Sequence, residues 1–198
     1  CIQEIDSSGL IKSSIGQCNS SGDISGPIGT AKLNSIGNIV LDSDDALSTS
    51  GNMFITERIN TTNSNIKYVN LTGSTVTIAG VDIGAGEVQK IISSINYLSN
   101  VTSFEDQICY SLGRGGDADN YEHSVTCISR TTGIPTIRVG KSAASTVKGK
   151  LPDLDENEGL PATSITVSEP TGLSFDKNGN LFIGIRTNNT ILKVQKWW

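Results

Sequence analysis

Residues 170–194 read P-T-G-L-S-F-D-K-N-G-N-L-F-I-G-I-R-T-N-N-T-I-L-K-V. Gly172 to Asp176 alternates as a strand, and Lys177-Asn178-Gly179-Asn180 supplies turn residues able to adopt positive φ. Leu181 to Ile185 is a second, apolar strand, Thr187-Asn188-Asn189 turns again, and Thr190 to Val194 forms a third. Three strands joined by tight turns make an antiparallel meander, and the expected fold class is all-β.

The same cadence recurs upstream with wider loops. Strands are expected at Gly37 to Asp42, Asn52 to Thr56, Asn65 to Val69 and Thr75 to Ala79, the last closing at Gly80. A second set covers Ile95 to Val101, Gln107 to Leu112, Ser124 to Ser129 and Pro135 to Val139, closing at Gly140. The chain opens with Cys1 to Asp6 and Gly9 to Ile15, which read as the tail of another repeat ending at Gly16. Fourth strands thus end at Gly16, Gly80 and Gly140, separated by 64 and 60 residues, the spacing expected of repeated four-stranded sheets. Only Glu87 to Leu98, with Val88, Ile91, Ile92 and Ile95, spaces its apolar residues so that a short helix is conceivable.

The stretch from Pro170 to Val194 resembles a bacterial NHL repeat: a Pro-x-Gly strand, a D-x-x-G-N turn, an aromatic-containing second strand and an N-N-x-I-x-x-V third strand. The lead-in Glu158-Gly159-Leu160-Pro161-Ala162-Thr163 is similar to that of such repeats, and Gly26-Pro27-Ile28-Gly29-Thr30-Ala31 echoes it. The resemblance is specific at the carboxyl end and weakest in the middle repeat, which lacks the D-x-x-G-N turn. It implies a β-propeller of four-stranded antiparallel blades, about three in this chain: 1–16 the end of one blade, 22–80 a blade, 81–140 a divergent blade and 141–198 a blade lacking its fourth strand. A propeller of that family has about six blades, so the expectation is a segment completed by another chain or a flanking segment, with Gly9 to Ile15 able to close the final blade.

Composition narrows function by exclusion. The formal charge is −5 with scattered Lys and Arg, which argues against nucleic-acid binding, and no apolar run approaches the length of a membrane span. Cys1, Cys18, Cys109 and Cys127 lack zinc-site spacing, and His123 is the single histidine. Either the four are small buried hydrophobes or they form two disulfides. Cys109 and Cys127 sit on adjacent expected strands, close enough for a bridge, and Cys1 with Cys18 would be the other. A secreted or cell-surface protein follows, with the periplasm an alternative. Five Asn-x-Ser/Thr triplets, at Asn19, Asn60, Asn70, Asn100 and Asn188, are close to the roughly 3.5 that this composition gives by chance and decide nothing alone.

The candidate binding loop lies between Cys109 and Cys127, with Arg114, Asp117, Asp119, Tyr121, Glu122 and His123 offering charge and one aromatic on a braced hairpin. Trp197 and Trp198 form a second candidate, either buried or an aromatic anchor for a protein or sugar. Acidic groups at Asp42/Asp44/Asp45, Asp117/Asp119/Glu122 and Asp153/Asp155/Glu156/Glu158 do not fit a calcium-loop spacing and read as solvated loops, and Asp176 with Asn178 reads as a turn cap. No metal or cofactor is expected, and catalysis finds little support, since no G-x-S-x-G elbow is present and a Ser-His-Asp set would have to use His123. The leading expectation is a non-enzymatic, adhesin-like module recognising a protein or glycan through long loops. The alternatives are a lactonase- or lyase-like propeller enzyme with a channel metal, and a purely structural, oligomerising segment.

Overall fold

The computed structural model describes residues 1–43, 50–113, 123–140, 160–165, 167–187 and 189–196, leaving aside the side chain of Ile137. Regular structure among them is entirely β, in several small sheets, none closed on itself. The strands are β1 (Ile2–Ile5), β2 (Ile11–Ile15), β3 (Gly26–Pro27), β4 (Ser35–Leu41), β5 (Met53–Arg58), β6 (Asn63–Asn70), β7 (Val76–Ile78) and β8 (Val81–Ile83). They continue as β9 (Glu87–Asn96), β10 (Leu98–Phe104), β11 (Gln107–Leu112), β12 (Ser124–Ser129), β13 (Pro135–Val139), β14 (Pro170–Phe175), β15 (Leu181–Ile185) and β16 (Thr190–Val194). The chain divides into two compact units, Cys1–Ile95 and Asn96–Trp198, a boundary that falls inside the 81–140 repeat expected from the sequence.

In the first unit a five-stranded sheet runs β3-β9-β6-β5-β4. β5 and β6 are its centre, and in antiparallel register Met53 faces Val69, Ile55 faces Lys67 and Glu57 faces Asn65. Side chains on a strand alternate between faces, so one face carries Met53, Ile55 and Val69, which form a core with Ile15, Ala31, Leu33 and Val88. The hairpin β1–β2 contributes Ile2 and Ile15 to this core and is tied at its base by the Cys1–Cys18 disulfide. β2 pairs with β1 in a two-stranded sheet of the first unit, and β14 to β16 form a three-stranded sheet of the second.

Two local expectations are corrected here. The segment expected to close a blade at Gly80 is instead a separate hairpin, β7–β8, turning through Ala79 and Gly80 at φ 54° and 77°. Two consecutive positive φ values define the tight turn whose twist matches flanking strands, so this glycine marks a reversal and not the end of a repeat. Asn70 fixes the hairpin beyond β6, its amide donating to the carbonyls of Ser74, Ile83 and Gly84 at 2.8, 2.9 and 2.9 Å. The place beside β6 is then filled by β9, which replaces the conceivable helix over Glu87 to Leu98. Val88, Ile91, Ile92 and Ile95 have helical spacing, but all four are β-branched, and lateral pairing with β6 and with Gly26–Pro27 satisfies a backbone that would otherwise need a helix.

In the second unit β10-β11-β12-β13 form a four-stranded meander and β14-β15-β16 a three-stranded one. Five of these seven strands have the bounds expected from the sequence: β11, β12, β13, β15 and β16. The two sheets face one another across a core of Cys109, Val125, Cys127 and Val139 on one side and Leu173, Leu181, Ile183, Ile185 and Val194 on the other, joined by Ile165 and Val167. Burying an aliphatic side chain of this size contributes about 1.5–3 kcal/mol, so the apolar run Leu181 to Ile185 holds its sheet in place chiefly through Leu181, Ile183 and Ile185. β14 lies against β10 and β11, and the Ser111 hydroxyl donates to the Thr171 carbonyl at 3.1 Å.

Turn chemistry explains the D-K-N-G-N motif. The Asp176 carboxylate accepts from the backbone N–H of Asn178 and of Asn180, each at 2.9 Å, and from the Asn180 side chain at 2.8 Å. These bonds, the Asn180 side chain's first, hold the Asp176 carboxyl below its ordinary value. The carboxylate is a cap, and its acceptor capacity is occupied by protein donors.

Candidate functional site

The candidate binding end of the second unit is built where its two long connections take root. β11 ends at Leu112 and β12 begins at Ser124, with Leu112 and Ser124 in register. Three positions below, Cys109 and Cys127 are directly opposed and disulfide-bonded, with Cα atoms 3.9 Å apart. The hairpin that carries residues 114–122 therefore has a covalent brace buried in the sheet-to-sheet core.

Gly113 lies at φ +156°, and its N–H donates to the Tyr97 carbonyl at 3.1 Å. A Cβ on Gly113 would come within 2.6 Å of Pro170 Cδ and 3.0 Å of Glu169 Cα, so only glycine allows this approach of β11 to the start of β14. His123 is half-buried, and its Nδ1 accepts the Glu169 backbone N–H at 3.1 Å. An acceptor at Nδ1 places the proton of a neutral ring on Nε2. Gly140 follows β13; a Cβ there would lie 2.7 Å from the His123 carbonyl oxygen, and its N–H donates to the Ala162 carbonyl at 3.0 Å.

Gly113, His123 and Gly140, which border 114–122 and 141–159 in sequence, thus lie close together, with Glu169 beside Gly113 and His123. Charge is present there: Arg186 stands 3.6 Å from the Glu169 carboxylate, and its N–H donates to the Glu169 carbonyl at 3.1 Å. Glu169 adopts φ +49°, a left-handed conformation uncommon outside glycine, and Ser168 beside it is buried with its hydroxyl 3.1 Å from that of Thr187. Of the loop residues singled out by sequence, His123 is placed at this root. Arg114, Asp117, Asp119, Tyr121 and Glu122, and also Trp197 and Trp198, lie outside the described residues. Glu169 and Arg186 are brought to the site by the fold alone.

No protein-family model matches this sequence, and no curated protein matches it.

The first unit contains a second polar constellation that sequence reading did not single out. Lys67 on β6 is fully buried, and its Nζ lies 2.9 Å from Glu57 Oε2, 3.1 Å from Asp23 Oδ1 and 3.1 Å from the Lys32 carbonyl. Glu57 is equally buried, and its other oxygen accepts the Asn34 N–H. Asp23 also receives the Lys90 ammonium and, at 3.0 Å, the Asn65 amide. Glu57 Oε2 and Asp23 Oδ1 accept no hydrogen bond of good angle, and the Lys67 ammonium compensates both by proximity. Burial works to raise the Asp23 carboxyl, but hydrogen bonds and charge from Lys90 and Lys67 outweigh it and hold the group below its ordinary value. Two acidic and two basic side chains meet here, and Lys67 donates one hydrogen bond, to the Lys32 carbonyl, while standing beside both carboxylates. This arrangement places opposite charges side by side in a buried site.

Elsewhere, Asp42 is buried and accepts the Tyr68 hydroxyl at 2.6 Å, while Asp44, Asp45, Asp153, Asp155, Glu156 and Glu158 lie outside the described residues. Among the described residues no group of three or more His, Cys, Asp or Glu is placed to hold a metal ion. Among the described residues no helix is long and apolar enough to cross a membrane.

Proposed function

We propose that this chain is a non-enzymatic binding module of a secreted or cell-surface protein, built on NHL-like propeller blades, that recognises a protein or glycan through segments 114–122 and 141–159. The observation that carries the reading is that Gly113, His123 and Gly140, which border these segments, lie close together beyond the Cys109–Cys127 bridge. A rigid scaffold presenting lengthened loops at one end is the usual arrangement of recognition surfaces. Two disulfides are compatible with an oxidising compartment. The propeller reading draws support from two successive meanders stacked through apolar faces, with the first strand of the second, β14, lying against the first strand of the other, β10.

The test is a pair of proteins, the intact chain and one in which 114–122 is shortened to an Asn-Gly turn, probed against protein and glycan arrays. Binding by the first, lost in the second while circular dichroism and both disulfides are unchanged, is the expected result. Silence of the intact chain on both arrays, with turnover of a small substrate, would overturn the reading.

A further inference from the structure

The five Asn-x-Ser/Thr triplets are no more than chance supplies, yet the fold does not treat them alike. Asn70 is fully buried, its amide nitrogen donates to three carbonyls, and its oxygen accepts from the Thr72 N–H and hydroxyl. Attaching anything to that nitrogen would replace one of its two N–H donors and force a bulky group into the buried end of β6. Asn100 is half-buried on β10. Asn188 lies outside the described residues. Asn19 is exposed, but at φ +61° and beside Cys18 of the Cys1–Cys18 bridge.

Asn60 differs from all of these. It sits exposed in the turn between β5 and β6, closed by bonds from the Ile59 and Asn60 N–H groups to the Asn63 carbonyl at 2.9 and 3.2 Å. Its side-chain oxygen accepts from the Thr62 N–H at 3.0 Å, the Thr62 hydroxyl at 3.1 Å and the Asn63 N–H at 2.8 Å. Three donors on the oxygen fix the orientation of the carboxamide in an exposed turn. No described group accepts from Nδ2, which is left facing solvent with the hydroxyl of the triplet's own threonine in place.

We propose that Asn60 is an N-glycan acceptor, its triplet exposed in the turn between β5 and β6 where that of Asn70 is buried. The co-reactant is an oligosaccharide carried on a lipid pyrophosphate. Asn60 Nδ2 forms a bond to the anomeric carbon, the bond from that carbon to the pyrophosphate oxygen breaks, the lipid pyrophosphate leaves, and one amide proton passes to a base of the transferase. No redox change occurs. In the cell the modification rests on the secreted reading above, because it needs a compartment in which such a donor is present. The geometric claim is independent of compartment.

The experiment uses the full, oxidised, unmodified chain incubated with a purified single-subunit oligosaccharyltransferase and lipid-linked oligosaccharide, followed by peptide mass spectrometry. In the folded chain Asn60 is modified about tenfold or more faster than Asn70, because access to Asn70 waits on local unfolding. In the reduced, alkylated and unfolded chain that ratio falls toward one. Thr62→Ser retains modification at Asn60, and Thr62→Ala abolishes it. Failure of the folded chain to react at Asn60 while the unfolded chain reacts there, or equal reaction at Asn70 in the folded chain, would overturn the proposal. Since no cell is involved, a negative result leaves the secreted reading to be decided by its own test.

Discussion

Replacing Lys67 by methionine keeps the length and apolar stem of the side chain but removes the cation between two buried carboxylates. Glu57, fully buried, loses the ammonium 2.9 Å away and retains only the Asn34 N–H, whereas Asp23 keeps Lys90 and Asn65. Breaking a buried pair from one side typically costs about 3–5 kcal/mol. The double variant Glu57→Leu/Lys67→Met removes both charges and leaves chiefly the Asn34 N–H without its acceptor, a cost of about 1–3 kcal/mol. The double variant is therefore expected to be more stable than Lys67→Met alone. At a urea slope of about 2 kcal/mol/M the single variant lowers the midpoint by roughly 1.5–2.5 M. Because the chain has two compact units, one global transition is not assured, so hydrogen exchange on peptides spanning β5 and β6 should accompany the melts. A single variant within about 1 kcal/mol of wild type, or no more damaging than the double, would refute the charge-compensation argument.

Three other outcomes follow from the same geometry. Gly179 sits at φ +80° with Phe104 Cε1 2.8 Å and Lys196 Cδ 2.7 Å from where a Cβ would be, so Gly179→Ala should destabilise the second unit by about 2–4 kcal/mol, read by exchange in β14 to β16. Cys109→Ala/Cys127→Ala should cost about 2–4 kcal/mol and raise exchange in β11 and β12 without altering β5 and β6; calorimetry with exchange mass spectrometry checks both. Asp23 and Asp176 are both depressed below the ordinary value of 3.8, so their contribution is fully present above that pH and is lost as pH falls through their lower folded values. Urea midpoints should thus fall between pH 5 and pH 2, and Asp23→Asn should flatten part of that slope; an unchanged slope would remove Asp23 from the account.

Much of the strand plan was legible because it is written locally. Tight turns of Asp, Asn and Gly bracket Leu181 to Ile185 and Thr190 to Val194, and the Cys109–Cys127 pairing follows once their strands are neighbours. Reading failed where local pattern and pairing disagree. Val88, Ile91, Ile92 and Ile95 fit a helical period, but β9 is only half-buried along most of its length and is settled by its neighbours, β6 and Gly26–Pro27. Gly80 looked like the close of a repeat because a glycine after a β run marks equally well a reversal, and Asn70's hydrogen bonds choose between them from ten residues away.

The buried charges of the first unit show what signal remained unused. In M-F-I-T-E-R, Glu57 has the parity of Met53 and Ile55; in N-I-K-Y-V, Lys67 has the parity of Val69 and Asn65. Period-two alternation on antiparallel neighbours therefore puts an acid and a base on the same face as Met53, Ile55 and Val69, a pairing available from sequence once the strands are aligned. Asp23 was not available in this way, since the loop from Cys18 to Gly26 carries no periodicity that aims it at β6. The root of the candidate binding end is hidden for the same reason. His123 was named from its loop, whereas Glu169 and Arg186 reach it through the packing of β14 on β11, a contact between meanders that no single strand's pattern encodes.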